Sequence, residues 1–234
     1  MNEWELTGRA RSHIIELEHP RTGLHREAVT SYLAMRASAA LAGIDLVPVS
    51  GFRDFDRQVV IWNRKWRGER PLYDRQGARI DRRELDDEQA VETILCWSAV
   101  PGGSRHHWGS DMDVIDAAAM PEDYQLQLVA AEYEAGGVFE RLTDWLNQNM
   151  MRFGFHRPYA SDRAGTGVEP WHLSYYPVAS RAMEALTLPV LQRAIAGSEM
   201  LGKAAVLAQL PEIYRRFVSE VDPPPETSSA AVSA

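Results

Sequence analysis

The sequence predicts an α+β fold in which helices pack around a small antiparallel sheet. The predicted strands are few, and helical segments separate them along a chain of 234 residues. Two of them, 110–116 and 171–176, carry candidate metal ligands on neighbouring segments, which favours antiparallel pairing. The length is ample for one buried core, so we expect a single domain over 1–220. A tail over 221–234, rich in Pro, Ser and Ala, lacks apolar bulk, and we expect it to be disordered.

The first part of the chain is predicted to contain two helices and a strand. Residues 3–18 and 25–43 are predicted to be helical, and in the second segment apolar residues recur at roughly helical spacing. Gly43 sits where a helix commonly ends. Residues 44–53 follow as a strand, in which Pro48 permits only an edge or irregular position.

An aromatic helix and an exposed loop are predicted next. Residues 54–67 place Phe55 and Trp62 among the apolar positions of a helix, and this pattern favours core packing over substrate stacking. Residues 68–85 are rich in Arg, Asp, Gly and Pro, so we expect an exposed loop, where substrate selection often resides. A helix is predicted over 86–97.

The second half of the chain combines strands with helices. Residues 110–116 alternate side chains between two faces, which is typical of a strand. A surface insert is expected over 117–137. The remaining predicted elements are an amphipathic helix over 138–151, a short strand over 153–158, the last strand over 171–176 and helices over 179–218.

Two imidazoles and a carboxylate are spaced like the ligands of a metal site. A catalytic zinc ion takes three nitrogen or oxygen ligands from the protein and keeps a fourth position for water. His106, Asp113 and His172 could supply those three ligands. Gly109 lies between the first two, where the chain has to turn. Glu169 lies three residues before His172, close enough to act as a general base on a water at the metal.

These residues resemble the motifs of a known family. The pattern Ser-x-His-x-x-Gly-x-x-x-Asp over 104–113, followed by Glu-x-Trp-His over 169–172, resembles that of the zinc D-alanyl-D-alanine carboxypeptidases and dipeptidases. This family includes the vancomycin-resistance peptidases and related peptidoglycan hydrolases. The run 50–58 resembles the Ser-Gly-[Tyr/Phe]-Arg-x-x-x-x-Gln element of the same family. The motifs stand in family order.

The resemblance implies a LAS-type or hedgehog-like metallopeptidase fold, with the metal in a groove across the sheet. It implies that His106, Asp113 and His172 bind zinc and that Glu169 is the catalytic base. Arg53 would polarise the scissile carbonyl and stabilise its oxyanion. The implied substrate-binding residues are Ser104, Gln58 and Trp171.

The chain departs from the family pattern at Asp111, where a small residue is usual. Asp111 and Asp113 face the same side of the predicted strand, so the residues themselves leave open which carboxylate reaches the metal. The family spacing from His106 selects Asp113. Asp111 is then a candidate partner for a ligand, or a nearby charge that raises the basicity of the site.

Each candidate also has an ordinary structural explanation. Taken singly, His106 and His172 would more often be hydrogen-bonded histidines than metal ligands. Arg53 could form a structural ion pair with Asp54 or Asp56. Their joint occurrence in family order favours the metal site.

Other reactive side chains have weaker functional indications. His107 adjoins a candidate ligand and would face the other way, so we expect a structural or substrate-facing role. His156 is a candidate for contact with a ligand or with the substrate. Cys96 is the only cysteine, and its apolar neighbours predict a buried structural thiol.

Composition and chain features limit the partners. The net charge of −8 argues against nonspecific binding to nucleic acid or to an anionic membrane. The sequence shows no signal peptide and no run long enough to span a membrane. We therefore expect a cytoplasmic location as written, with periplasmic access left open. The partner implied by the resemblance is a peptidoglycan-derived peptide.

The expected function is removal of the terminal D-alanine from peptidoglycan stem peptides by a zinc-dependent carboxypeptidase. An L,D-carboxypeptidase and an endopeptidase that cuts a cross-bridge are alternatives of the same fold, and the spacing does not exclude a metal-dependent amidase or transpeptidase. A metal- or wall-binding module without turnover is the alternative from another class. Glu169 and Arg53 argue against that module, because binding alone needs neither a base nor an oxyanion stabiliser.

Overall fold

The structure is a computed structural model that describes residues 1–163 and 165–224. Its strands are β1 (Ile14–Glu18), β2 (Arg21–His25), β3 (Leu46–Ser50), β4 (Leu72–Tyr73), β5 (Arg79–Ile80), β6 (Asp111–Asp116), β7 (Phe155–His156) and β8 (His172–Tyr175). Its α-helices are α1 (Glu3–Leu6), α2 (Arg26–Leu41), α3 (Phe55–Trp66), α4 (Asp87–Leu95), α5 (Glu140–Asn149), α6 (Tyr176–Ala185), α7 (Leu188–Ala196), α8 (Lys203–Ala208) and α9 (Leu210–Ile213).

A four-stranded antiparallel sheet forms the centre of the fold, with the strand order β3-β6-β8-β7. β6 is buried along its whole length. β3, which contains Pro48, lies at an edge of the sheet, as predicted from the missing N–H of proline. The register of β6 and β8 places Asp113 opposite His172. The predicted α+β fold with a small antiparallel sheet is confirmed.

Buried apolar side chains form two clusters. The first packs α2 and α5 against the sheet and includes Met112 and Val114 of β6. The second joins α3 and α4 to the helices that follow β8, and Trp62 is fully buried within it. Core packing of the aromatic helix is therefore confirmed at Trp62. Because side chains alternate along a strand, Asp111 and Asp113 project from the face of β6 opposite Met112 and Val114.

The predicted helix over 3–18 is wrong beyond its first turn. α1 ends at Leu6, and Gly8 then adopts a φ of +74°, a conformation that favours glycine and does not continue a helix. The segment that follows forms β1, which pairs with β2 in an antiparallel hairpin. Ile14 and Ile15 are β-branched and suit a strand, and this local preference outweighs the helical spacing.

The loop and the insert contain only short elements in the described structure. The exposed loop over 68–85 includes the β4–β5 hairpin and a 3₁₀ turn. The insert over 117–137 contains two 3₁₀ turns and is anchored by Tyr133, whose hydroxyl donates to the carbonyl oxygen of Val114 at 2.8 Å. Cys96 is buried, as predicted.

The predicted tail lies mostly outside the described residues, which end at residue 224. Near its start, the carboxylate of Asp222 accepts hydrogen bonds from the side chains of Ser161 and Arg163 at 2.7 Å. The chain is therefore held against the domain as far as Asp222. Within the described part of the chain, no helix combines the length and the apolar character that crossing a bilayer requires.

Candidate metal centre

His106, Asp113 and His172 form a buried cluster in which one potential ligand atom from each lies within 4.8 Å of the others. His106 Nε2 is 3.5 Å from Asp113 Oδ2. His172 Nδ1 is 3.4 Å from Asp113 Oδ1. The structure thus brings together the three residues that the sequence predicted as ligands, and the group could hold a metal ion.

Three elements deliver these side chains. His106 belongs to a 3₁₀ turn that leads into β6, while Asp113 and His172 lie directly opposite each other in β6 and β8. Gly109 ends the turn with a φ of +65°, and a Cβ atom there would clash with β1 and β2. The chain can therefore reverse tightly enough for His106 to face Asp113, which agrees with the turn predicted at Gly109.

Hydrogen bonds determine which nitrogen of each imidazole faces the cluster. His106 Nδ1 donates to the carbonyl oxygen of Gly51 at 2.9 Å, which leaves the lone pair of Nε2 toward Asp113. His172 Nε2 donates to Asp111 Oδ1 at 3.1 Å, so its Nδ1 faces Asp113. A carbonyl oxygen and an ionised carboxylate only accept hydrogen bonds, so His106 carries a proton on Nδ1 and His172 carries one on Nε2. His172 Nδ1 also lies 3.1 Å from Glu169 Oε2, and it carries a second proton when the imidazole is charged.

Asp111 lies behind His172 within a buried polar network. Its carboxylate accepts hydrogen bonds from Arg105 Nε at 2.7 Å and Ser110 Oγ at 2.5 Å, and the same guanidinium donates to Ser174 Oγ at 2.7 Å. Burial opposes the charge, but Arg105 and His172 outweigh it and hold the pKa of Asp111 well below its usual range. This geometry favours Asp111 as the partner of a ligand and Asp113 as the ligand.

The ionisation of the cluster matches a site for a cation. Burial, together with the charges of Glu169 and Asp111, raises the pKa of Asp113 to about 6. Burial lowers the pKa of His172, but the hydrogen bonds to Asp111 and Glu169 dominate and raise it to about 10. The same carboxylates would also attract a divalent cation, which would displace the proton from His172 Nδ1.

The donor atoms also fit a metal ion. Asp113 Oδ1 is buried and has no hydrogen-bond partner among residues 1–163 and 165–224. A buried oxygen of this kind costs free energy unless a ligand satisfies it. Two imidazole nitrogens and one carboxylate oxygen are a donor set suited to a divalent ion such as zinc.

Glu169 stands beside the cluster and retains contact with solvent. Its Oε2 lies 3.1 Å from His172 Nδ1, and its side chain is 13% exposed, against 4% for His172. Its backbone N–H donates to the carbonyl oxygen of Tyr159 at 2.9 Å, and its own carbonyl accepts from the N–H of His172. This turn directs the Glu169 carboxylate toward the ligands without burying it fully.

Arg53 is held beside the cluster by its neighbours. Its two terminal nitrogens donate to Gln58 Oε1 and Ser50 Oγ, each at 2.9 Å. Burial lowers the pKa of Arg53, and the nearby charges of Asp113 and Glu169 oppose this effect. The guanidinium therefore lies within electrostatic range of the candidate ligand and the candidate base.

The three predicted substrate-binding residues are all buried. Gln58 is fully buried, and its amide nitrogen donates to the carbonyl oxygen of Ala99 at 2.7 Å while its oxygen accepts from Arg53. This geometry favours positioning of Arg53 over the predicted contact with substrate. Ser104 is 1% exposed, and Trp171 is 5% exposed and packs 5.7 Å from the ring of Tyr133.

Two histidines outside the cluster have different environments. His107 is fully buried, donates from Nδ1 to the carbonyl oxygen of Arg53 at 2.6 Å and accepts at Nε2 from the N–H of Gly102 at 3.1 Å. Of the two roles expected for His107, structural or substrate-facing, its environment matches the structural one. His156 is buried, and its Nδ1 has no hydrogen-bond partner in the described part of the chain.

Sequence reasoning missed Tyr159 and Arg105. The ring of Tyr159 meets that of His172 edge-on, with 5.0 Å between the centroids, and no motif near it suggests this contact. Arg105 lies inside the Ser-x-His motif, next to His106, and could have been paired with the unusual Asp111 by charge alone.

Comparisons with known proteins show the family to which the sequence is similar. Residues 21–178 match the family model VanY, D-alanyl-D-alanine carboxypeptidase. An uncharacterized protein of Haemophilus influenzae is 34% identical over 128 residues, which span 54% of this chain and 95% of that protein. A D-alanyl-D-alanine carboxypeptidase of Enterococcus faecalis is 28% identical over 166 residues, which span 69% of this chain and 52% of that protein.

Solved structures show the same fold. A mutant of the vancomycin-resistance D,D-pentapeptidase VanY in complex with Zn(II) has a TM-score of 0.51 at 21% identity, covering 74% of this chain and 89% of that one. VanYB in complex with D-alanine-D-alanine also has a TM-score of 0.51 at 19% identity. This match covers 80% of the present chain and 89% of VanYB.

The fold and the site define a metallopeptidase built on a small antiparallel sheet. The match over residues 21–178 shows that the chain belongs to the VanY family of D-alanyl-D-alanine carboxypeptidases. The resemblance stated from the sequence motifs is thereby confirmed.

Proposed function

We propose that the protein is a zinc-dependent carboxypeptidase that hydrolyses the terminal D-alanine from peptidoglycan stem peptides. The observation that carries this proposal is the placement of Glu169 and Arg53 beside His106, Asp113 and His172. Family membership supports the reaction class. The D-alanine-D-alanine bound by VanYB supports a peptide substrate of that kind.

Zinc is the proposed metal because two imidazole nitrogens and one carboxylate match the usual ligands of catalytic zinc. The Zn(II) complex of the VanY relative supports the same choice. His106 Nε2, Asp113 and His172 Nδ1 would hold the ion. A bound zinc ion supplies a Lewis acid to the site.

Glu169 is the proposed general base. In the direction of hydrolysis, its carboxylate accepts a proton from the attacking water and then passes it to the amine that leaves. Its Oε2 atom lies 3.1 Å from His172 Nδ1, and its side chain is 13% exposed. A water could therefore approach the ligands and the base together.

Arg53 is proposed to stabilise the oxyanion that forms on the scissile carbonyl. Each terminal nitrogen of a guanidinium carries two N–H groups, so donation to Gln58 and Ser50 leaves further donors for a substrate oxygen. Gln58 is proposed to position this group. Ser104 and Trp171 are proposed to support the substrate site from positions that are buried in the fold.

Mass spectrometry of defined muropeptides tests the function. Tripeptide, tetrapeptide and pentapeptide stems and a cross-linked dimer are incubated with zinc-loaded protein, with and without a chelator. We expect loss of one alanine from the pentapeptide, abolished by the chelator. Loss of an alanine from the tetrapeptide alone would identify an L,D-carboxypeptidase. Splitting of the cross-linked dimer would identify an endopeptidase. Metal binding with no product from any stem would reject the peptidase and favour a binding module.

A further inference from the structure

Lys65 and Arg70 are two half-buried cations with no side-chain hydrogen bond or ion pair to any residue in the described part of the chain. Their neighbours differ, since Arg64 and Arg67 both pair with Glu69. Partial burial of a cation costs free energy unless an anion or hydrogen-bond acceptor compensates it. The charge of Arg70 acts on Lys65, so the two cations form a candidate site for an anionic ligand.

Lys65 lies on the face of α3 that contains Gln58. It lies in α3, seven residues after Gln58, and two helical turns place both side chains on the same face. Gln58 contacts Arg53 directly. Lys65 is close enough to interact electrostatically with both Arg53 and Glu169.

Arg70 reaches the same place through a turn. Gly68 adopts a φ of +72° after α3, and the N–H of Arg70 then donates to the carbonyl oxygen of Arg64 at 3.2 Å. The chain thus folds back along the last turn of α3. Burial and the charge of Arg70 lower the pKa of Lys65 to about 8, and Arg70 acts on Arg53 in the same direction. The positive charges of Arg53, Lys65 and Arg70 therefore reinforce one another at one side of the site.

We propose that Lys65 and Arg70 bind the terminal carboxylate of the peptide substrate. The inference rests on the proposed function and assigns its specificity. A carboxypeptidase releases the residue that carries this carboxylate, so the anion must lie close to the base and to the oxyanion stabiliser. An ammonium and a guanidinium both donate charge-assisted hydrogen bonds to a carboxylate. A side-chain carboxylate of the stem peptide has the same chemistry, and the test separates the two.

Calorimetry on the zinc-loaded Glu169→Gln protein tests binding apart from turnover. The probes are a stem pentapeptide with a free terminal carboxylate, its C-terminal amide, and the free acid with its side-chain carboxylates amidated. We expect the C-terminal amide to bind about 10- to 100-fold more weakly than the free acid. Adding Lys65→Met or Arg70→Gln should reduce this preference. Adding Arg67→Met should preserve it, because Arg67 is exposed and already pairs with Glu69.

Equal affinities for the free acid and its C-terminal amide would overturn the inference, as would no measurable binding of any probe. If only the peptide with amidated side-chain carboxylates binds more weakly, the inference would also be overturned. The two cations would then be assigned to a side-chain carboxylate of the stem peptide. Release of D-alanine by the unmodified protein is scored separately. Absence of release would reject the proposed function, while the binding comparison would still decide the role of Lys65 and Arg70.

Discussion

His172 donates from Nε2 to Asp111 Oδ1 at 3.1 Å, while its Nδ1 lies 3.4 Å from Asp113 Oδ1. Two carboxylates on one face of β6 thus approach opposite nitrogens of the same imidazole. The pairing of Asp111 with Arg105 keeps Asp111 ionised and in place. This arrangement orients the His172 ring so that Nδ1 faces the proposed metal position.

We predict that Asp111→Asn weakens zinc binding about 10- to 100-fold, the usual effect of losing a carboxylate behind a metal-binding imidazole. Competition with a chromophoric chelator measures the affinity, and circular dichroism checks that the variant is folded. Asp144→Asn, an exposed change in α5, serves as the control and should leave the affinity unchanged. Equal zinc affinities for the Asp111 variant and the native protein would argue against this role.

We predict that Glu169→Gln lowers kcat for D-alanine release about 10²- to 10⁴-fold, because an amide cannot accept the proton of the attacking water. Zinc affinity should change little, since Glu169 lies beside the ligands and is not one of them. The exposed change Glu134→Gln is the control. A variant that hydrolyses the pentapeptide at the native rate would exclude Glu169 as the base.

We predict that Arg53→Lys lowers kcat by roughly 10²-fold, since an ammonium cannot reproduce the guanidinium geometry at the oxyanion. Gln58→Leu should produce a smaller loss in the same direction, because it frees the guanidinium that Gln58 holds at 2.9 Å. Steady-state kinetics on the pentapeptide separates kcat from KM. A change confined to KM in both variants would indicate ground-state binding instead.

We predict that the metal-free protein loses about 2 kcal/mol of stability between pH 7 and pH 5 through His25. Burial, and then the neighbouring His13, lowers the pKa of His25 to about 4. The unfolded chain takes up a proton near pH 6.5, and the folded protein does so only near pH 4, so stability falls as the pH falls between these values.

The variant His25→Asn isolates this contribution. His25 Nδ1 accepts from the N–H of Glu27 at the start of α2, and asparagine can replace this helix-capping contact without titrating. Urea unfolding measures the free energy of unfolding at pH 7 and pH 5. The difference between these two free energies should be smaller for the variant than for the native protein. Identical differences for the two proteins would mean that His25 does not govern the acid sensitivity.

The motifs of the site could be predicted from the sequence because their residue types and spacing are tied to metal chemistry. Asp113 and His172 are about sixty residues apart in the chain, yet two adjacent strands bring them directly opposite each other. The family spacing also selected Asp113 over Asp111. The bond that explains this choice, from Asp111 to His172, depends on strand register and could not be derived from the alternation alone.

The remaining differences have local physical causes. The β1–β2 hairpin was missed because apolar residues in a short segment fit a helical spacing as well as a strand, and Gly8 was not recognised as a stop. The contact of Gln58 with substrate stays a prediction, and the structure adds that its buried amide oxygen accepts from Arg53. The side chains of Lys65 and Arg70 gave no indication of function until the structure showed that neither has a partner among the described residues.

Restoration of activity by zinc tests the central claim most directly. The protein is stripped with a chelator, dialysed and titrated with zinc, and D-alanine released from the stem pentapeptide is quantified at each addition. We predict no release without metal and full release at one zinc per chain, with Glu169→Gln binding the same amount of zinc and releasing almost none. Undiminished release from the stripped protein, or equal release by the variant, would contradict the account.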